Sequence, residues 1–273
     1  MTLKSCKIYT FLMDIKLPQA IEPFREQLFQ TKKAFIRASS QAARKTKSWE
    51  SKVGGQPYLL KETTWPTSPD GRELFFLAQI NFAEVPPLTP FPSSGILQFF
   101  IHDDDLYGMD FDDGENPDTF RVLFHPEVLE QESRLQTKLP STNWEEELLP
   151  HHPDESYPLI FGLGEEVVPI SDYQFYQHFG SDFFRQFAEN EWEVMGQLEK
   201  AVRSQGHKIG GYAYFTQDDP RRAEDPMLLL LQLDSDERMD LMWGDMGVGH
   251  FFIREKDLVA QDFSRVLYDW DCL

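Results

Sequence analysis

Four blocks of this sequence occur twice, in the same order. Lys52-Val53-Gly54-Gly55-Gln56-Pro57-Tyr58 returns as Lys208-Ile209-Gly210-Gly211-Tyr212-Ala213-Tyr214. Residues 77–84 return as 230–237, with Leu77 on Leu230, Gln79 on Gln232 and Glu84 on Glu237. Residues 95–101 return as 247–253, and Arg121-Val122-Leu123-Phe124 as Arg265-Val266-Leu267-Tyr268. The offsets are 156, 153, 152 and 144 (208 against 52, 230 against 77, 247 against 95, 265 against 121), and each shortening falls between apolar blocks. Loops tolerate such deletions and strands do not. The chain is therefore an internal duplication, and any fold for it must build two similar units.

Each unit reads as strands. The segments are short, rich in Phe, Ile, Leu and Tyr, and bounded by Gly, Pro, Asn and Asp, which is strand punctuation. Residues 74–80 and 227–233 are continuous apolar runs, as expected of strands covered on both faces. Helix is expected outside the repeats, near 19–33 and over 181–204. In the latter Ser181 would be the cap, and Phe184, Phe187, Glu191, Met195, Leu198 and Val202 one face with a single polar break at Glu191. A short helix is expected at 143–149. The expected class is α+β, mainly β: two pseudo-symmetric β halves forming one body with accessory helices. The expected division is an N-terminal extension (1–51), repeat 1 (52–124), an acidic linker and helix (125–207), and repeat 2 (208–273). A half of about 70 residues supplies too little core to stand alone.

Charge narrows the partners. Acidic residues outnumber basic ones 46 to 26, a net of −20, which disfavours nucleic acid and anionic membrane surfaces. Charge is also uneven: residues 1–52 carry eleven Lys or Arg against four acids, and 103–155 carry sixteen acids against three bases. Either these are solvated faces that attract each other within the fold, or the acidic face steers a basic partner. Two cysteines, Cys6 and Cys272, make no disulfide framework, so a reducing compartment, the cytoplasm, is expected. No apolar run approaches the ~20 residues that span a bilayer.

The usual catalytic constellations are missing from the sequence. There is no P-loop, no nucleophile elbow, no His-Glu-x-x-His and no paired Cys-x-x-Cys, and Pro169 sits where a dinucleotide-binding helix would follow Gly162-Leu163-Gly164. Asp103-Asp104-Asp105 opens like a calcium loop, but its twelfth position is Gly114, not Glu. No catalytic set, metal site or cofactor is expected. Candidate ligand-binding residues are Trp65, Gln79, Glu84, Gln217, Asp218, Arg221, Gln232, Trp243 and Asp245. A Gln inside an apolar strand must find hydrogen-bond partners. Gln79 and Gln232 either tie down a neighbouring loop or face a shared cleft between the halves. Trp243 and Asp245 are compatible with ring stacking plus a polar handle, but such a Trp more often packs under its loop while the Asp caps a turn.

The blocks at 52–55, 77–84, 95–101, 208–220 and 242–273 resemble the YwqG family, most specifically in Trp243-Gly244-Asp245-Met246-Gly247, in 231–236 and in Tyr268-Asp269-Trp270-Asp271-Cys272. The resemblance covers roughly 50–273. It implies a mainly β, duplicated fold in the cytosol and no activity. Ala213 departs from its pattern, where Pro is usual. The function expected is that of a non-enzymatic binding protein. It would take a basic protein partner or a small ligand between the β halves, in the manner of an immunity protein or inhibitor. The alternative is an enzyme of unrecognised type using the carboxylates Asp218, Asp219, Asp245 and Glu84.

Overall fold

The computed structural model describes residues 15–137, 140, 142, 144 and 148–273. Cys6, and most of the helix expected at 143–149, lie outside the described residues. Among the described residues ten strands form one antiparallel sheet: β1 (Lys33–Ser40), β2 (Lys52–Gly54), β3 (Phe75–Asn81), β4 (Ile96–Ile101), β5 (Phe120–His125), β6 (Ser156–Glu166), β7 (Lys208–Gly210), β8 (Leu228–Asp234), β9 (Val248–Ile253) and β10 (Leu267–Asp271). Their spatial order is β10-β9-β8-β7-β1-β6-β2-β3-β4-β5. The fold is mainly β and internally duplicated: β2 to β5 and β7 to β10 are the two copies.

Registers make the duplication concrete. Lys52 faces Gln79 and Lys208 faces Gln232. The β3–β4 pair carries a bulge between Phe76 and Ala78, and the β8–β9 pair one between Leu229 and Leu231, so Leu77 and Leu230 are the same extra residue. Both Gly-Gly entries sit in the left-handed region, with φ of 68° and 72° at Gly54 and Gly55 and 69° and 73° at Gly210 and Gly211, which only glycine adopts freely. The fourth block is corrected. Phe100 pairs with Arg121 and Phe252 with Leu267, so Arg121 corresponds to Leu267 and the match to Arg265 is two residues out. A two-residue slip preserves the inward and outward alternation of a strand, and so imitates a true match. Glu84 and Glu237 also part company. Glu84 ends one short 3₁₀ turn (Phe82–Glu84), whereas Glu237 begins the other (Glu237–Met239).

The centre of the sheet is where the halves interlock. β1 precedes the first copy in the chain, yet pairs with β7 of the second, Phe35 opposite Gly210. β6 precedes the second copy, yet pairs with β2 of the first, Val53 opposite Tyr157. β1 and β6 pair with each other over eight residues, from Lys33↔Glu166 to Ser40↔Leu159. Thus the stretch 125–207 contains a central strand of the sheet.

The sheet curls into a nearly closed barrel. β4 and β9 lie far apart in strand order, but Phe99 and Phe251, equivalent residues, meet at 4.6 Å between ring centroids. Near the two edges, Phe120 of β5 meets Tyr268 of β10 at 5.3 Å. The main core is this interior, filled from both halves by Leu77, Leu97, Phe99, Leu231, Phe251 and Tyr268 among others.

A second apolar cluster holds the helices. α1 (Arg25–Gln30), α2 (Gln174–Phe179) and α3 (Glu191–Ala201) place Leu28, Phe175 and Leu198 together. The expected helix 181–204 is broken. A 3₁₀ segment, Phe183–Asn190, contains Ala188 at φ 47°, outside helical space, and α3 starts only at Glu191, so Ser181 caps nothing there. The N-terminal helix ends at Gln30, because residues from Lys33 onward belong to β1. α4 (Glu255–Ala260) lies between β9 and β10. Among the described residues no helix is long and apolar enough to cross a membrane.

The interlock generates a prediction. A fragment of residues 208–273 retains β7 to β10 but lacks β1, the strand that covers β7. Expressed alone it should be aggregated or unfolded, since an uncovered apolar strand edge invites association. Sharp, dispersed amide resonances from that fragment would contradict the fold's dependence on the exchanged strands.

Candidate functional site

The two strand glutamines are fully buried and bind loop backbone. Gln79 Nε2 donates to the carbonyls of Ser48 (2.6 Å) and Glu50 (2.8 Å), and its Oε1 accepts the Tyr58 N–H (2.9 Å). Gln232 Nε2 donates to Ser204 (3.0 Å) and Gly206 (2.8 Å), and its Oε1 accepts the Tyr214 N–H (2.9 Å). Each partner of Gln79 has its counterpart 156 residues later (204, 206 and 214 against 48, 50 and 58). With both donor hydrogens used on backbone, neither amide is open to a ligand.

One strand further out, the halves diverge. In the first, His125 donates through Nε2 to Gln98 Oε1 (2.8 Å), and Gln98 passes its amide to the Tyr58 carbonyl (2.8 Å). In the second, His250 replaces Gln98, and its Nε2–H donates to the Tyr214 carbonyl (2.7 Å). Burial pulls its pKa down to about 3, so the ring is neutral, and its Nδ1 has no partner. The position of His125 is taken by Asp271, since His125 faces Ile96 and Asp271 faces Val248. Asp271 turns one oxygen to the N–H groups of Thr216 (2.8 Å) and Gln217 (2.7 Å), and leaves the other buried and unpartnered.

The polar side chains on this part of the sheet are covered by the loop from Tyr212 to Met227. Arg221 anchors the loop. It is buried, pairs with Asp172 and Asp219 at 2.7 Å each, and lies over the Phe252 ring. Removing one member of such a buried set leaves an uncompensated charge, so Arg221 ties the loop to Asp172. From the other half, the β4–β5 loop crosses onto β10. Gly114 accepts the Tyr268 N–H (2.8 Å), Leu106 accepts the Trp270 indole N–H (2.6 Å), and Glu115 forms a bidentate pair with Arg254 at 2.8 Å.

Between these loops and the β10 edge is a cleft of about 720 Å³, lined among others by Met109, Phe111, Glu115, Arg222, Glu224 and Asp269. Phe111 is 77% exposed at its mouth. Asp269 is half-buried and makes no hydrogen bond or ion pair among the described residues. Burial, followed by the charges of Asp271 and Asp219, lifts its carboxyl to about 7. A partly accessible carboxyl with no partner, in a cleft, is a functional-site candidate on physical grounds.

Of the residues proposed from sequence, only Arg221 lines this cleft. Gln217 lies just outside it, exposed and bonded to the Cys272 carbonyl, and Asp218 is exposed. Trp65 packs under its own loop, donating to Leu74 and meeting Phe100 edge-on. Glu84 is exposed and accepts the Ser51 N–H. Trp243 is fully buried against Gly249, where any Cβ would overlap the indole. Asp245 is exposed and its carbonyl accepts the Leu273 N–H. Asp219 is committed to Arg221. The structure therefore does not gather these residues into one site. Asp269 was missed although it lies in the diagnostic tail. The signal available was the one used for the glutamines, a polar residue within an apolar strand.

Among the described residues no cluster of His, Cys, Asp and Glu could hold a metal ion. A family model described as "Domain of unknown function (DUF1963)" matches residues 51–272. No curated protein matches the chain.

Two substitutions test this arrangement. Gln232→Leu keeps the size but orphans three backbone groups, and should lower stability by about 1–3 kcal/mol in urea unfolding. Asp269→Asn should do the opposite, with a pH signature. The native carboxyl binds its proton more tightly than the unfolded one, so it weakens the fold as pH rises from about 4 to about 7. The variant should be more stable than wild type by about 1–3 kcal/mol at pH 8, and equal to it at pH 4. Thermal melts at the two pH values read the difference.

Proposed function

The chain belongs to the DUF1963 family, and from that premise we propose that it is a non-enzymatic binding protein. Its cleft at the β10 edge takes a positively charged group, a guanidinium or ammonium, of a small molecule or a basic protein. The observation that carries this reading is Asp269, an unpaired carboxyl in a cleft whose other acids outnumber its available bases. Arg221 and Arg254 are neutralised by Asp172, Asp219, Glu115 and Asp225, which leaves Arg222 against Asp110, Glu224 and Asp269. A bound cation would stabilise the ionised carboxylate that burial disfavours. Phe111 offers a ring face to the same charge. The cleft is walled by both halves, as the binding reading of the sequence requires. The likeness to the YwqG family and a cytoplasmic location belong to the same proposal.

The raised carboxyl also favours a second reading, an enzyme with Asp269 as general base, since a base titrating near neutrality suits proton abstraction. One experiment addresses both. Agmatine and an oligo-arginine peptide are titrated calorimetrically at pH 8 and pH 5.5. Binding should weaken about tenfold or more at the lower pH as Asp269 takes up its proton, weaken with salt, and vanish in Asp269→Asn. Failure of both probes to bind, or equal binding by the variant, would remove the cation-site reading. A catalytic role would show as retained binding with lost turnover.

A further inference from the structure

The duplication supplies a second cleft, at the opposite edge of the sheet. The β10 cleft lies between that edge strand and the β4–β5 loop. This second one lies between β5 and the segment that joins β9 to β10. It measures about 640 Å³ and is lined by Phe120, Arg121, Val122, Phe124, Phe263 and Val266 among others. At matching positions the two edge strands carry different residues. Arg121 pairs with Phe100 as Leu267 pairs with Phe252, and Leu123 pairs with Gln98 as Asp269 pairs with His250. Each edge strand thus presents one leucine and one charged residue, in opposite order and of opposite sign.

We propose that this β5 cleft is a binding site for an apolar carboxylic acid, held by Arg121. In a chain of net charge −20, no Asp or Glu among the described residues lines the cleft, and Arg121 is the one charged lining residue among them. The guanidinium makes no ion pair among the described residues. Its Nη2 donates to the Pro117 carbonyl (3.1 Å), while its Nε is buried with no partner. That Nε is closed to solvent, and a carboxylate entering the cleft would meet the outer edge of the fork, Nη1 and Nη2, with two parallel hydrogen bonds. The remaining wall is mostly ring and aliphatic carbon, so the ligand's body is apolar. A phosphate dianion, which needs many donors, finds too few. The volume is within the ~300–1,000 Å³ of small-molecule sites. This site is separate from the β10 cleft and does not depend on its assignment.

The probes are 2-naphthoate and its uncharged counterpart 2-naphthamide, titrated by fluorescence into the full chain. Naphthoate should bind about tenfold tighter than naphthamide, the share of a charge-assisted fork. Arg121→Met should remove that advantage and leave naphthamide binding unaltered. Arg121→Lys should restore part of it, because a point charge lacks the fork. Amide shifts should map to Phe120, Val122 and Phe263. Should Arg121→Met fail to fold by circular dichroism, Leu123→Glu answers instead: a carboxylate placed beside Arg121 should abolish naphthoate binding. Equal affinity for the two probes, an unchanged Arg121→Met, no binding of naphthoate to the wild type, or a Leu123→Glu variant that binds it normally would each overturn the proposal.

Discussion

The pairing of β1 with β6 is the contact on which everything else in this protein rests. Eight residue pairs join two strands that each belong, by chain position, to one copy of the repeat and, by hydrogen bonding, to the other. Without β1 the strand β7 has no neighbour on one side, and without β6 the strand β2 has none. Each copy would then expose the backbone of its innermost strand, a free-energy penalty that half a core cannot offset. The curl of the sheet follows, since ring packing between Phe99 and Phe251 closes the interior only when both copies hang from the same central pair.

The two clefts are by-products of that closure. A barrel that stops short of joining its edges leaves β5 and β10 unpaired, and the duplicated loops cover each edge incompletely. The charge in each cleft is decided by an outward-facing position of its edge strand, Arg121 or Asp269. These positions carry little of the packing, so charge can be placed there at low energetic penalty. The interior glutamines are the reverse case. Their amides are locked by loop carbonyls in both copies with the same spacing, which is why the entries of the two repeats remained alike while their edges did not.

Most of the repeat was legible because its strands declare themselves. β3, β4, β8 and β9 are almost entirely buried, and such strands read as unbroken apolar runs. β1 and β6 were not legible as the central pair. β6 contains Pro158, Gly162 and Gly164, and β1 contains Lys33, Arg37, Ser39 and Ser40. Their stability comes from partners more than a hundred residues away, and no local pattern reports that. The helix at 181–204 misled for a related reason: its apolar spacing is helical, but the chain turns at Ala188. Asp269 was hidden because its environment is assembled from the Tyr212–Met227 loop of one copy and the β4–β5 loop of the other. The closing strand was read at 265–268, just short of Asp269, and tertiary structure alone shows that residue's burial.

Exchanged central strands have a consequence for ancestry. An internal duplication with exchanged leading strands has the form that joining the two subunits of a strand-swapped homodimer into one polypeptide would give. In a homodimer every substitution is made twice, once in each symmetric cleft. A basic residue acquired in one would appear in the other, and two like-charged sites would result. Covalent joining ends that constraint. Two clefts of unlike charge, one lined by Arg121 and the other by Asp269, are open only to a chain that encodes the two copies separately.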